Sequence, residues 1–128
     1  MNFEYFSADV ETQTIYLDKT GYLQNSCDSL FSTVGWQKGT ILRQFPLLKS
    51  IFAGLAKMQV GNHPIHIPKV ESATGLPNGF YDFSFVCLEI EGKDFIRWVI
   101  YDYTQKYSQL QETQQSQHDD YIAKDKKL

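Results

Sequence analysis

Residues 95–117 read Phe-Ile-Arg-Trp-Val-Ile-Tyr-Asp-Tyr-Thr-Gln-Lys-Tyr-Ser-Gln-Leu-Gln-Glu-Thr-Gln-Gln-Ser-Gln. The first part, Phe95 to Tyr103, is β-branched and aromatic, which suits a strand. From Thr104 onward Gln, Lys, Glu and Leu take over, which suits a helix. Asp102 and Thr104 stand at the change. Both are good helix N-cap types, because a short side-chain oxygen accepts a bond from a free N–H of the first turn. A strand therefore runs into a polar helix through a capped joint. Two uses follow: the helix packs on its own domain, or it carries a change in a sheet outward.

Length and composition bound the rest. At 128 residues, with nine Phe, eight Tyr and two Trp, the chain makes one domain with appendages and buries a core without disulfides or metals. The net charge of −3, with no basic run interleaved with aromatics, argues against a nucleic-acid surface. Cys27 and Cys87 match no metal or redox spacing, which fits a reducing, cytoplasmic setting but leaves one disulfide open. The N-terminal Met-Asn-Phe-Glu-Tyr-Phe-Ser-Ala-Asp lacks the basic start and apolar run of a signal peptide. No apolar stretch approaches membrane-spanning length, so no membrane contact by this segment is expected.

The remaining elements follow in order. Residues 1–11 form an arm in which Phe3, Tyr5 and Phe6 want burial, on this domain or on a partner. Gln13–Leu17 and Tyr22–Gln24 are strands joined by Asp18-Lys19-Thr20-Gly21, whose terminal Gly suits a type I turn. Asn25 or Ser26 caps a short helix with Asp28 near its positive end and Leu30, Phe31 and Val34 as its buried stripe. Pro46 opens an amphipathic helix whose apolar face is Leu48, Ile51, Phe52, Leu55 and Met58, and Gly61-Asn62 ends it. His63–Glu71 is extended, but Pro64 and Pro68 cannot donate to a ladder, so it belongs at a sheet edge.

Phe80–Ile90 is a long strand. Tyr81, Phe83, Phe85 and Cys87 face one side, and Asp82, Ser84, Val86, Leu88 and Ile90 the other. After the hairpin turn at Glu91-Gly92, Phe95–Tyr103 likewise has Ile96, Trp98 and Ile100 on one side and Phe95, Val99, Tyr101 and Tyr103 on the other. One face takes the helices. The second, still partly apolar, needs cover from the arm, the last helix or another subunit. In that last helix Tyr107, Leu110, Gln114, Gln117 and Tyr121 follow the three-four spacing of a weak coiled-coil seam.

Three segments together resemble a PAS sensor domain. Ile15-Tyr-Leu-Asp-Lys-Thr-Gly-Tyr-Leu-Gln-Asn25 resembles the opening hairpin of that family. Leu30-Phe-Ser-Thr-Val-Gly-Trp-Gln-Lys-Gly39 resembles its short-helix segment. Trp98-Val-Ile-Tyr-Asp-Tyr-Thr104 resembles the Asp-x-Thr joint at the end of its last strand. The resemblance covers roughly residues 12–117, with 12–104 as the sensor domain and 105–128 as a signalling helix and linker. It implies an α+β fold: a five-stranded antiparallel sheet of order 2-1-5-4-3, short helices on one face and a C-terminal signalling helix.

The family is not catalytic. It binds a small ligand between sheet and helices, or serves to dimerise, and relays to a C-terminal output domain of histidine kinase or cyclase type. Carried over by position, Asp102 and Thr104 are the relay residues. Phe31, Leu48, Ile51, Phe52, Leu55, Phe83, Phe85, Trp98 and Ile100 either line a pocket for a small apolar ligand or simply fill it. A homodimer through the outer sheet face and terminal helices, cut from a longer bacterial signalling protein, is the implied assembly.

The other chemical candidates are weak. Flavin-binding relatives carry a reactive Cys in an Asn-Cys-Arg-Phe-Leu-Gln motif on a later helix, and Cys27 has neither that place nor those neighbours. The helix from Leu47 to Met58 has no His for a haem iron. His63 and His66, three apart on an extended segment, face opposite sides. His118 is followed by Asp119-Asp120-Tyr121, unlike a kinase phosphoacceptor. No metal and no flavin or haem cofactor is expected, and the ligand itself is unknown. No catalytic motif stands out. The alternatives are a ligand-free assembly domain, or a small α+β enzyme or carrier with a cone-shaped cavity. The enzyme needs an inward acid–base pair, for which the strand offers only Asp82 and Glu89, on opposite faces. Either one buried beside a His would strengthen that reading.

Overall fold

The computed structural model describes residues 3–5, 9–36, 43–71 and 76–110. The strands are β1 (Thr12–Asp18), β2 (Leu23–Ser26), β3 (Ile65–Glu71), β4 (Phe80–Ile90) and β5 (Lys93–Asp102). They form one 5-stranded sheet in the order β2-β1-β5-β4-β3, and every pair is antiparallel. Among the described residues the longer helices are α1 (Pro46–Ala56) and α2, residues 104–110, with residues 43 and 44 also helical. The class is α+β in the expected strand order.

The turns explain why neighbours pair. In the β1–β2 hairpin Gly21, at φ 89°, takes a left-handed conformation that a side chain would resist. Its N–H closes on the Asp18 carbonyl at 3.0 Å, and the Asp18 carboxylate accepts from the N–H groups of Thr20 and Tyr22 at 2.9 and 3.0 Å. Glu91 and Gly92 both have positive φ, which matches a two-residue hairpin turn to the twist of β4 and β5. β3 lies at the edge, which suits Pro68 within it and Pro64 just before it, and its register slips between Ile67 and Val70, around Pro68.

Alternation along the strands separates two faces. The inner one contributes Ile15, Leu17, Tyr81, Phe83, Phe85, Cys87, Ile96, Trp98 and Ile100 to a single cluster with Leu48, Leu55 and Met58 from the α1 segment. Burial of these large side chains against one another is the main source of stability, at roughly 1.5–3 kcal/mol for each fully buried aliphatic or Phe side chain. Phe45, which precedes α1, is 1% exposed and sets its ring edge-on to Trp98 at 5.0 Å.

The outer face is covered at both ends by the chain itself. Phe3 of the arm packs against Tyr16 at 4.7 Å and Phe95 at 5.5 Å, and the Tyr16 hydroxyl donates to the Glu4 carbonyl. At the far end Tyr107 of α2 packs against Phe80 at 5.8 Å.

One expected element is absent: residues 27–36 form bends and a turn, not a helix. Side-chain acceptors replace helical carbonyls there. Gln13, fully buried on β1, accepts the N–H groups of both Leu30 and Phe31 at 2.9 Å. Asp28, at φ 52°, accepts from the Thr33 N–H and hydroxyl at 3.1 and 2.8 Å. Leu30 and Phe31 still pack on the core, but Val34 is 83% exposed, so the expected buried stripe does not form. The expectations that fall on Phe6, Gly39, Gln114, Gln117, His118 and Tyr121 lie outside the described residues.

Burial pushes the Asp28 carboxyl up, but the bonds from Ser26 and Thr33 together outweigh it and hold the group below the usual carboxylate range. A depressed folded value stabilises the fold above the unfolded pKa of about 3.9 and loses that contribution as pH falls through the folded value. Asp28→Asn is therefore expected to lower stability at pH 7 and to flatten its loss between pH 5 and pH 3, as read by urea melts. An acid limb as steep as in the parent chain would remove Asp28 from the loop's role.

Candidate functional site

The joint between β5 and α2 is cross-linked to its neighbours by both backbone and side-chain bonds. β5 is flanked on both sides, by β1 and β4, so its end is held from two directions. The Asp102 N–H donates to the Glu11 carbonyl at 2.9 Å, and the Tyr103 N–H to the Phe80 carbonyl at 3.0 Å. The Asp102 carboxylate then accepts the Thr104 N–H at 3.1 Å, satisfying one of the free donors at the start of α2. The Thr104 hydroxyl does not cap its own helix. It accepts the Phe80 N–H at 3.1 Å and lies 3.4 Å from the Phe80 carbonyl. The two predicted relay residues thus divide the work: Asp102 caps, and Thr104 ties the helix to β4.

Gly79 completes the joint. A Cβ built there would lie 2.2 Å from the Thr104 hydroxyl oxygen, far inside van der Waals contact. The loop composition marks Gly79 as a turn residue, but its structural reason is this close approach.

A second tie lies one turn further along α2. The Tyr107 hydroxyl donates to the Asp82 carboxylate at 2.8 Å. The same carboxylate accepts the Lys69 N–H at 3.0 Å and meets His66 Nε2 at 3.1 Å. Lys69 has φ 54° and sits in the β3 irregularity, so the bulge turns its N–H toward Asp82. Its ammonium lies over the Phe80 and Tyr107 rings at 5.6 and 5.9 Å. Asp82 is only 6% exposed, and a buried carboxylate needs such partners. Burial, and then the bond to Asp82 and its charge, push the Tyr107 hydroxyl above its usual range. Through Asp82, α2 is joined to both β4 and the edge strand β3.

Alternation correctly directed Asp82 outward, but its partners come from a bulge and from the next element, which a strand pattern does not report. The signal available was Tyr107, the first residue of the expected seam. It faces its own sheet here, while Leu110 is 51% exposed. The Asp82–His66 pair does exist, on the outer face and not inside the helix-covered core. His66 is half exposed, and Glu89 is exposed with no part in the pair.

An open groove of about 660 Å³ runs along the joint, lined by Asp9, Val10, Glu11, Asp102, Thr104, Gln105, Lys106 and Gln109. Asp102 and Thr104 are accessible from this side.

The nine predicted pocket residues do come together. Leu48, Leu55, Phe83, Phe85, Trp98 and Ile100 are buried in one cluster, with Phe31, Ile51 and Phe52 packed against it. Trp98 is ringed by Phe83 at 5.1 Å and Phe85 at 5.8 Å, the latter stacked. Its indole N–H is buried with no acceptor. A buried donor of that kind costs about 1–3 kcal/mol if left unmade, so the middle of the core holds one unanswered polar contact.

The remaining candidates do not assemble into a site. Cys27 and Cys87 are free thiols; the Cys27 sulfur accepts the Thr14 N–H at 3.2 Å, and Lys19 approaches Cys87 at 3.8 Å. His63 is exposed. Among the described residues no three His, Cys, Asp or Glu side chains are grouped to hold a metal ion, and no helix is long and apolar enough to cross a membrane. No protein-family model matches the sequence, and no curated protein matches it either.

The Gly79–Thr104 contact gives a direct test. Gly79→Ala is expected to lower the melting temperature more than Thr104→Ala does, and to cost less in the Thr104→Ala background, where the clashing oxygen is gone. Additive effects in thermal melts would show that the two residues do not depend on each other.

Proposed function

We propose that this chain is a sensory module of the PAS type, in which a change in the sheet is passed to the helix that leaves after β5. The observation that carries this reading is the double anchorage of that helix. Thr104 is bonded to Phe80, and Tyr107 to Asp82, so α2 is rooted on the strands that wall the core. A shift of Trp98 or Ile100 moves β5, and the capped joint moves the helix. Signalling of this sort needs two arrangements of similar energy. The Tyr107–Asp82 tie supplies one that can be released, since its partners are a single hydroxyl and a carboxylate already accepting from Lys69.

In this reading the signal arises in the core. The unpaired Trp98 indole N–H favours a small, mostly apolar ligand bearing one acceptor, and a filled core would make the chain an assembly domain instead. The protein works in the cytoplasm as a homodimer, through the outer sheet face, the arm and the last helix. Its output domain, of histidine kinase or cyclase type, lies C-terminal. The enzyme reading gains the Asp82–His66 contact. Against it, Asp82 Oδ1 accepts from both the Tyr107 hydroxyl and the Lys69 N–H, a structural duty that fixes the carboxylate and leaves Oδ2 to His66.

Native mass spectrometry beside the denatured mass tests the proposal. The sensory reading predicts a dimer with a retained small molecule lost on denaturation. A dimer of bare chains would move the assignment to an assembly domain. A monomer across the micromolar range would overturn the dimeric relay.

A further inference from the structure

The segment leading into β4 reads Leu76-Pro-Asn-Gly-Phe80, and of the chain's asparagines Asn78 is the one followed by glycine. Its surroundings leave it open to reaction with that neighbour. Asn78 is exposed and lies in a bend outside the strand ladder. Among the described residues neither its side chain nor the Gly79 N–H takes part in a hydrogen bond. The other described asparagines are held. Asn25 is paired with Tyr16 between β2 and β1 and accepts the Tyr5 hydroxyl, and Asn62 accepts the Gln59 N–H at 2.8 Å. The residues on either side of Asn78 are anchored: the Pro77 carbonyl accepts the Tyr81 hydroxyl at 2.8 Å, and Gly79 is wedged against Thr104. A free amide side chain thus stands between two fixed points of the main chain.

Asparagine is a chemically labile residue, and a following glycine puts no Cβ in the way of its reaction. The Gly79 main-chain nitrogen gives its proton to a base and attacks Asn78 Cγ. A C–N bond forms, the side-chain nitrogen takes up a proton and leaves as ammonia, and a five-membered succinimide closes. Water opens the ring at either carbonyl, to give aspartate or isoaspartate. The net change is water in and ammonia out, with nothing oxidised or reduced. In isoaspartate the main chain runs through Cβ and Cγ, one carbon longer than before. That carbon enters between the two anchored points, beside a glycine where even a Cβ would lie 2.2 Å from Thr104 Oγ1. The next residue, Phe80, is the one whose N–H binds that oxygen. We propose that Asn78 is a deamidation site, and that its isoaspartate product levers Phe80 away from Thr104 and loosens α2. The site is a slow, one-way covalent switch on the joint, whatever α2 goes on to do, and so is independent of the sensory reading.

The test is ageing of the intact chain in mildly alkaline buffer, continued until a synthetic peptide of residues 76–81 in the same buffer has converted. Conversion reads as a mass gain of about 1 Da, located by peptide mapping, with isoaspartate scored by an isoaspartate-specific methyltransferase. Asn78 is expected to convert, faster as pH rises, while Asn25 and Asn62 stay intact and the Asn78→Gln chain gains no mass. The isoaspartyl form, separated by chromatography, is then compared by hydrogen exchange with freshly purified Asn78→Asp, which carries the same charge on a main chain of ordinary length. The amides of residues 104–110 are expected to exchange about fivefold faster or more in the isoaspartyl form. A chain that keeps Asn78 while the peptide converts would overturn the site, as would conversion at Asn25 or Asn62 ahead of it. Equal exchange in the two forms would overturn the effect on the joint.

Discussion

The pairing of β4 with β5 is the constraint on which the other features depend. It runs without a slip from Ile90↔Lys93 at the turn to Tyr81↔Asp102 at the far end. Because side chains alternate, that one register puts Phe83, Phe85, Cys87, Ile96, Trp98 and Ile100 on the helix side together. It also brings Phe80 opposite the end of β5, so the first residues of α2 meet the start of β4. A slip of one residue would turn the aromatic core outward and break the Thr104–Phe80 bonds at the same time. Core and joint are therefore set by the same hydrogen-bond ladder.

Around that ladder the two faces are finished differently. The inner face is closed by aromatic packing, which is dense and non-directional. The outer face is closed by polar and aromatic contacts from the chain's two ends, Phe3 on Tyr16 and Tyr107 on Asp82. Contacts of this second kind are individually modest, and in each the partner from outside the sheet, Phe3 or Tyr107, is half-exposed, so they are the ones that open first. The segment through which a signal would leave is thus held by the weaker set, while the sheet beneath it is held by the stronger.

What the sequence revealed follows from how local each signal is. The edge position of β3 and the shared inward set on β4 and β5 were legible, because alternation and the prolines at 64 and 68 are properties of single strands; the strand order was implied only by the resemblance to a known family. The capped joint was legible for Asp102, whose partner is two residues away. The cross-strand duty of the Thr104 hydroxyl was not, nor was the need for Gly at 79, since both depend on which residues the fold brings together. The helix expected after β2 failed for the same reason: Gln13, distant in sequence, supplies the acceptors that hold Leu30 and Phe31. Asp82 showed no partner in its own strand because its partners come from a bulge and from the following helix.

The central claim is that α2 is held by its ties to β4 and moves with them. Amide hydrogen exchange of the parent chain and of Tyr107→Phe measures this most directly. Removing a hydroxyl bonded to a carboxylate costs roughly 1.5–3 kcal/mol when the bond is buried, less here because Tyr107 is half-exposed. The amides of residues 104–110 are expected to exchange about fivefold faster or more in the variant, with those of the β4–β5 ladder unchanged. Unchanged protection in the helix would contradict the account, because α2 would then be holding its place without Asp82.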